Sequence, residues 1–204
     1  VNYGGENTIV VRVVASMEEG WFYEGAGIYR HVYLQKTNPL HVVQNGTYVT
    51  SEIKNSNAEV TINVAIENKG KFDGFLEIVQ MIFNAENKQV GFFLEDVDAP
   101  EFYKTANFIS KITMNNPLLW DIESPNLYRL VTQIRKDGKL IDNYETSFGI
   151  RTIKFDPENG FFLNGKHVKL KGTNNHQDHA GIGTALPDEI QYYRIAKLKK
   201  MGSN

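Results

Sequence analysis

Apolar and polar positions alternate with a period of two through most of the chain. Val60, Ile62, Val64 and Ile66 take turns with Thr61, Asn63, Ala65 and Glu67, and after Asn68 to Gly70 the rhythm resumes at Leu76, Ile78, Gln80 and Ile82. Successive side chains of a strand point to opposite faces, so this pattern predicts two half-buried strands with a turn between them. LHVV and TYVTSEI flank Asn45-Gly46, which predicts a hairpin there. QVGFFLE and ANFISKIT read as two more strands, and LYRLVTQI joins KLIDNYETSF through Lys136-Asp137-Gly138. Asn-Gly and Asp-Gly suit such turns because they accept the positive φ that a tight hairpin needs. Short strands with a turn signal every 8 to 12 residues or so predict an antiparallel β-sandwich, placed at residues 36–150.

The flanks differ. TIVVRVV and IYRHVYL read as two strands separated by MEEGWFYEGAG, and two strands cannot form a core of their own. Residues 1–35 are therefore expected to be the last strands of something larger. Downstream, Asn164-Gly165 joins GFFL to KHVKLKG, and the polar loop KGTNNHQDHAGIG follows at 171–183. Pro187 and Asp188 then open a helix that runs to about Met201, with Ile190, Ile195, Leu198 and Met201 as its apolar stripe. Asp188 at one end and Lys199 with Lys200 at the other suit the helix dipole, and Gly202 is a natural stop. Strand, loop and helix make the first step of an α/β repeat, placed at 151–204.

Composition narrows the chemistry. With 204 residues, 41% of them hydrophobic and 23% charged, the chain can bury a real core. The net charge is −2 and no run of Lys and Arg exceeds two residues, which speaks against nucleic acid or an anionic membrane surface as partner. Small neutral ligands remain open. The absence of cysteine removes disulfides, thiolate nucleophiles and cysteine zinc sites together. No stretch approaches the roughly 20 apolar residues of a membrane helix, so the chain reads as soluble, with the cytoplasm and the periplasm both open.

The loop at 171–183 holds the candidate chemistry: Asn174, His176, Asp178 and His179. Its residues alone permit two readings. Asn and Gly form turns, leaving His and Asp to face solvent; equally, imidazole, amide and carboxylate are the fixed donors and acceptors that a polyhydroxylated ligand requires. A metal site is not expected, because His176, Asp178 and His179 lack a helix to hold them on one face and a fourth ligand nearby. Asp188 and Glu189 belong to the first turn of the helix. Trp21, Phe22 and Tyr23 read more readily as core aromatics than as a stacking platform, Glu24 and Arg30 as local partners, and Trp120 as structural. Asn45-Gly46-Thr47 also fits a glycosylation sequon, but the hairpin reading is the stronger.

The segments GAGIYRHVYL, NNPLLWDIESPNLYRLVTQI, FGIRTIKFDPENGFFLNGKHVKLKGTNNHQDH and IAKLKKMGSN resemble, in sequence and spacing, glycoside hydrolase family 2, in particular its bacterial β-galactosidases. The resemblance covers nearly the whole chain. It implies a mainly β architecture: the end of a jelly-roll sugar-binding domain at 1–35, an immunoglobulin-like β-sandwich at 36–150, and the first strand and helix of a (β/α)8 TIM barrel at 151–204. The implied activity is retaining hydrolysis of terminal β-D-galactosides, with a β-galactoside or oligosaccharide as partner and a homo-oligomer left open.

The family's Gly-x-Asn-x-His element matches Gly172, Asn174 and His176. The resemblance thus implies that His176 hydrogen-bonds a sugar hydroxyl while Asn174 and Asp178 shape the pocket; it assigns no role to His179. The catalytic glutamates of the family, and its magnesium ligands, would lie beyond Asn204, itself the first residue of an Asn-x-x-Arg-x-x-His element. The chain is accordingly expected to be an internal segment that lacks both catalytic groups and binds no metal. β-Glucuronidases and β-mannosidases share this architecture and remain alternatives, as does a noncatalytic carbohydrate- or protein-binding sandwich. Against the last stands 151–204, which such a module would not need.

Overall fold

The computed structural model describes residues 1–14 and 27–204. It separates into two compact units, one of residues 35–170 and one of residues 1–34 with 171–204.

The larger unit is a sandwich of two antiparallel sheets. Its strands are β1 (Leu40–Lys54), β2 (Asn57–Asn68), β3 (Phe75–Phe83), β4 (Gln89–Asp98), β5 (Lys104–Asn115), β6 (Tyr128–Lys136) and β7 (Lys139–Phe148). One sheet has the order β1-β2-β5 and the other β4-β3-β6-β7. The alternation in β2 survives residue by residue: Ala58, Val60, Ile62, Val64 and Ile66 are buried, and the residues between them are half-exposed. From the opposite sheet, Leu76, Ile78 and Ile82 of β3 and Leu130 and Ile134 of β6 pack on this row. A polar rung crosses the middle. Gln80, Ser110 and Thr132 are buried there, and Ser110 donates its hydroxyl proton to the Gln80 side-chain oxygen. The rung divides the apolar interior into two clusters, one around Ile62, Ile82 and Leu130 and one around Ile66, Leu76 and Ile134.

Two expected turns hold. Asp137 and Gly138 (φ 50° and 72°) close β6 onto β7, and Asn164 and Gly165 (φ 51° and 76°) close a smaller hairpin described below. The turn after Asn68 is not a hairpin: β2 pairs with β1 and β5, so residues 69–74 carry the chain from one sheet to the other. Asn45-Gly46 is not a hairpin either. It lies inside β1 as a bulge, across which the register jumps from Val42 opposite Ile66 to Thr47 opposite Val64. Asn45 adopts the left-handed conformation (φ 57°) that the dipeptide favours, but a bulge needs that conformation as much as a turn does. The strand's free N–H groups are taken by β7: Val42 N donates to Asp142 Oδ2 at 2.8 Å, and Asn45 N to the Tyr144 hydroxyl at 2.9 Å. The reversal between β1 and β2 occurs instead at Asn55-Ser56, with Asn55 at φ 57°.

Tyr128 opens β6 and secures the long crossing from β5. Its hydroxyl accepts from Leu118 N at 2.7 Å and donates to Leu118 O at 3.2 Å. This is the tyrosine-corner device of immunoglobulin-like sandwiches. Burial pushes the Tyr128 pKa up from its ordinary value, so the unfolded chain ionises first and the tyrosine's contribution to stability is lost as pH rises above about 10. Tyr128→Phe is expected to cost about 1 to 2 kcal/mol near neutral pH, because it leaves the Leu118 N–H without its partner. It should also remove part of the alkaline loss of stability. Urea unfolding of both proteins on either side of pH 10 or so checks the two effects.

Beyond the sandwich, β8 (Ile153–Asp156), β9 (Gly160–Leu163) and β10 (Lys166–His167) form a small antiparallel sheet. Asn164 ties it to the sandwich. Its side chain donates to Trp120 O at 2.9 Å and accepts from Thr152 N at 3.0 Å. Trp120 in turn donates its backbone N–H to Ile150 O at 2.8 Å and carries the Arg151 guanidinium 4.7 Å above its ring. Trp120 is therefore a structural joint. HVKL pairs antiparallel only at its start, with Val168 N still donating to Phe161 O at 2.9 Å.

The smaller unit holds helix α1 (Asp188–Met201). Pro187 precedes it, Asp188 and Glu189 fill its first turn and Lys199 and Lys200 its last, and Gly202 ends it in the left-handed region at φ 103°. Ser203 N donates back to Leu198 O at 3.1 Å, which completes the cap. The expected apolar stripe needs correction. Ile195 and Met201 are exposed, and the half-buried line is Ile190, Arg194 and Leu198, four residues apart along one face.

TIVVRVV and IYRHVYL also depart from expectation, since residues 1–14 and 27–34 contain no strand. Ladder hydrogen bonds need a neighbouring strand, and none among the described residues pairs with them; Ile9, Val10, Val32 and Leu34 are exposed. The readings of Trp21, Phe22, Tyr23 and Glu24 lie outside the described residues. Arg30 stacks on Tyr29, 6.0 Å from its ring centre. No helix among the described residues is long and apolar enough to cross a membrane.

Candidate functional site

The loop from Gly172 to Gly183 gets its shape from two anchors, a local turn and a helix side chain. The turn spans His179 to Gly183. His179 N donates to Gly183 O at 3.0 Å, and His179 O accepts from Gly183 N at 2.9 Å and from Ile182 N at 3.1 Å. Gly181 and Gly183 sit at φ 80° and 75°, a conformation that a β-carbon would strain. The His179 ring closes on its own surroundings, with Nδ1 3.0 Å from Ala180 O. This histidine therefore helps build the turn.

The second anchor is Arg194, on the half-buried face of α1. One guanidinium nitrogen donates to His176 O at 2.6 Å and the other to Asp178 O at 3.2 Å. The first also lies 3.4 Å from Asn175 Oδ1. A single planar cation thus holds the backbone at both residues flanking Gln177. The exposed His176 and the half-buried Asp178 rise from this pinned stretch, while the exposed Asn174 precedes it. The structure brings His176 and Asp178 together through this shared anchor. Asn174 lies outside the contacts made by Arg194.

A third contact closes the base of the loop. Asn204 N donates to Lys171 O at 3.0 Å, and Lys171 N donates to Asn204 Oδ1 at 2.8 Å. The chain leaving the helix thus returns beside the chain entering the loop. In the first turn of α1, the Asp188 carboxylate lies 3.1 Å from His31 Nε2. Among the described residues no three His, Asp or Glu side chains gather to hold a metal ion.

Arg194 is the residue that the sequence reading passed over. Its signal was there: an arginine four residues from Ile190 and four from Leu198 lies in the line that a helix turns toward its support. A cation in that line needs carbonyl or carboxylate partners.

Comparison with known proteins adds a family and relatives. The family model for glycosyl hydrolases family 2 matches residues 40–151. A β-galactosidase of Bacteroides ovatus, BoGH2A, is 34% identical over 97% of this chain and 23% of its own length. A β-glucuronidase of Bacteroides fragilis is 31% identical over the whole of this chain and 31% of its own. The crystal structure of a glycosyl hydrolase family 2 member from Bacteroides cellulosilyticus superposes with a TM-score of 0.87 at 35% identity, over 94% of this chain and 26% of that one. The chain spans less than a third of each of these proteins.

Proposed function

Because this chain belongs to glycosyl hydrolases family 2, we propose that it is a segment of a retaining glycosidase acting on terminal β-D-galactosides, in which the loop at 172–183 forms one wall of the sugar pocket. In this reading the sandwich at 36–150 links the end of a jelly roll, 1–35, to the start of a (β/α)8 barrel, 151–204. The observation that carries it is the pairing of Asn204 with Lys171 across loop and helix. A barrel requires each strand to be followed by a helix that returns the chain alongside, and it collects the loops after its strands on one catalytic face. A loop that follows Lys171 would lie on that face.

The chemistry assigned to this chain is recognition. His176, with Asn174 and Asp178, would hydrogen-bond sugar hydroxyls. The two carboxyl groups of double displacement, about 5 to 5.5 Å apart in retaining enzymes, would come from beyond Asn204. Asp188 is engaged with His31, and Asp178 has no second carboxylate in its loop. A magnesium ion in the parent would likewise draw its ligands from elsewhere in that protein.

Relatives named for β-galactosidase and for β-glucuronidase match comparably, so the glucuronide reading stands as the second. The loop NHQDHAGIG favours the first by its likeness to galactosidases. A noncatalytic sandwich module leaves the loop and the capped helix without a purpose.

The test is a pair of chromogenic substrates. The 204-residue chain alone is expected to hydrolyse neither, because proximity and electrostatics cannot replace two absent carboxylates. The full-length enzyme is expected to prefer the β-galactoside to the β-glucuronide by at least roughly tenfold in kcat/KM. The reverse preference would transfer the assignment to the glucuronidases, and turnover by the isolated chain would place the catalytic pair within it.

A further inference from the structure

The geometry points to Arg194 as a positioning residue for substrate recognition, one that acts through His176 by clamping the loop backbone on both sides of Gln177, without touching the sugar. This inference rests on the pocket reading of the loop and goes beyond it, because Arg194 belongs to no motif that carries that reading.

The argument begins with what a glycine-rich loop lacks. Residues 172–183 include three glycines, and among the described residues no strand is assigned from 172 to 178. A side chain that must place a hydrogen bond within a few tenths of an ångström needs a fixed Cα to start from. Arg194 supplies it, at 2.6 Å from His176 O and 3.2 Å from Asp178 O. The two carbonyls flank Gln177, so the guanidinium clamps the loop across the span bearing both candidate contacts.

The choice of residue matters. A guanidinium presents donors in a rigid planar fork and reaches two carbonyls and the Asn175 amide at once. An ammonium is a point donor on a flexible stem and cannot span the same three oxygens with fixed geometry. The helix adds rigidity from below. Arg194 lies two turns before the cap at Gly202, between Ile190 and Leu198 on the half-buried line. Its reach to the loop is thus set by regular backbone.

A positioning role and a purely structural one make different predictions. If Arg194 serves only to stabilise the loop, its removal lowers melting temperature, and its effect on turnover multiplies with that of any other substitution. If it acts through His176, its removal costs nothing further once the imidazole has gone.

The experiment is a double-mutant cycle in the full-length enzyme with a chromogenic β-galactoside, using His176→Ala, Arg194→Met and the double variant. Arg194→Met is expected to lower kcat/KM by about 10- to 100-fold, mostly through kcat. The double variant should fall within about twofold of the slower single variant. Arg194→Lys should recover part of the loss. Should Arg194→Met fail to fold, Arg194→Lys in the same cycle carries the decision.

Three results would overturn the inference. Normal kinetics for Arg194→Met beside an impaired His176→Ala would remove the positioning role and leave the pocket reading intact. Losses that multiply would make Arg194 a structural support only. Normal kinetics in both single variants would remove the pocket reading and this inference with it.

Discussion

His176→Ala in the full-length enzyme is expected to lower kcat/KM by about 100-fold or more, equivalent to about 2.7 kcal/mol of transition-state stabilisation, with little change in melting temperature. Both halves of that expectation follow from where the residue lies. The residue is exposed on a loop and lies outside the buried core, so alanine there should leave the core's packing intact. Arg194 holds the backbone at this position through the His176 carbonyl, and alanine keeps that carbonyl. A hydrogen bond to a sugar hydroxyl strengthens as the ring distorts toward an oxocarbenium-like transition state, so its loss appears in the rate.

His179→Ala should show the opposite balance. Its ring reaches Ala180 O and its backbone closes the turn with Gly183, so the substitution disturbs loop shape before it disturbs any ligand. Kinetics and melting measured on the same preparations decide the matter. A normal kcat/KM with a lowered melting temperature for His176→Ala would make this histidine structural and end the pocket reading of the loop.

Legibility followed range. β2 was readable because its period-two pattern is enforced by burial on one face, and the hairpins at Asp137-Gly138 and Asn164-Gly165 because positive φ at both positions is a local demand. Asn45-Gly46 announced the same local demand. Whether left-handed backbone there reverses a strand or bulges it depends on what lies opposite, here the Asp142 carboxylate and the Tyr144 hydroxyl, about a hundred residues away. A dipeptide cannot encode that.

The flanking segments failed for the complementary reason. TIVVRVV has the composition of a strand, yet a strand exists only with a neighbour. In the candidate site, a motif pointed to His176 and Asn174, the wider resemblance added Asp178, and the glycines marked the turn. Arg194 was hidden because its partners are backbone carbonyls, which leave no trace in side-chain identity.

The buried amide that joins two sheet-crossing loops supplies the largest expected effect on stability. Asn68 ends β2 and is fully buried. Its Nδ2 donates to Phe72 O at 2.8 Å and to Pro100 O at 2.7 Å, and its Oδ1 accepts from Gly70 N at 3.1 Å. Its own carbonyl accepts from Tyr103 N at 2.7 Å. One side chain therefore fastens the passage from β2 to β3 and the passage from β4 to β5, two of the three places where the chain changes sheets. Asn68→Ala removes three hydrogen bonds and strands buried carbonyls, which is expected to cost about 3 kcal/mol.

Asn68→Asp makes the test specific. The shape is kept, but an ionised carboxylate offers no donor and faces two carbonyl oxygens, so near neutral pH it should cost more than alanine does. Those oxygens and burial both raise the folded-state pKa of an acid at this position. The unfolded chain then ionises first, so the stability of Asn68→Asp is retained below about pH 4 and falls as pH rises through and beyond that value. Urea midpoints at constant slope, measured for both variants of the 204-residue chain across the acid range, check the prediction. A cost below about 1 kcal/mol for Asn68→Ala, or an Asn68→Asp variant whose deficit relative to alanine does not shrink in acid, would show that the crossings are held by their backbones and not by this amide.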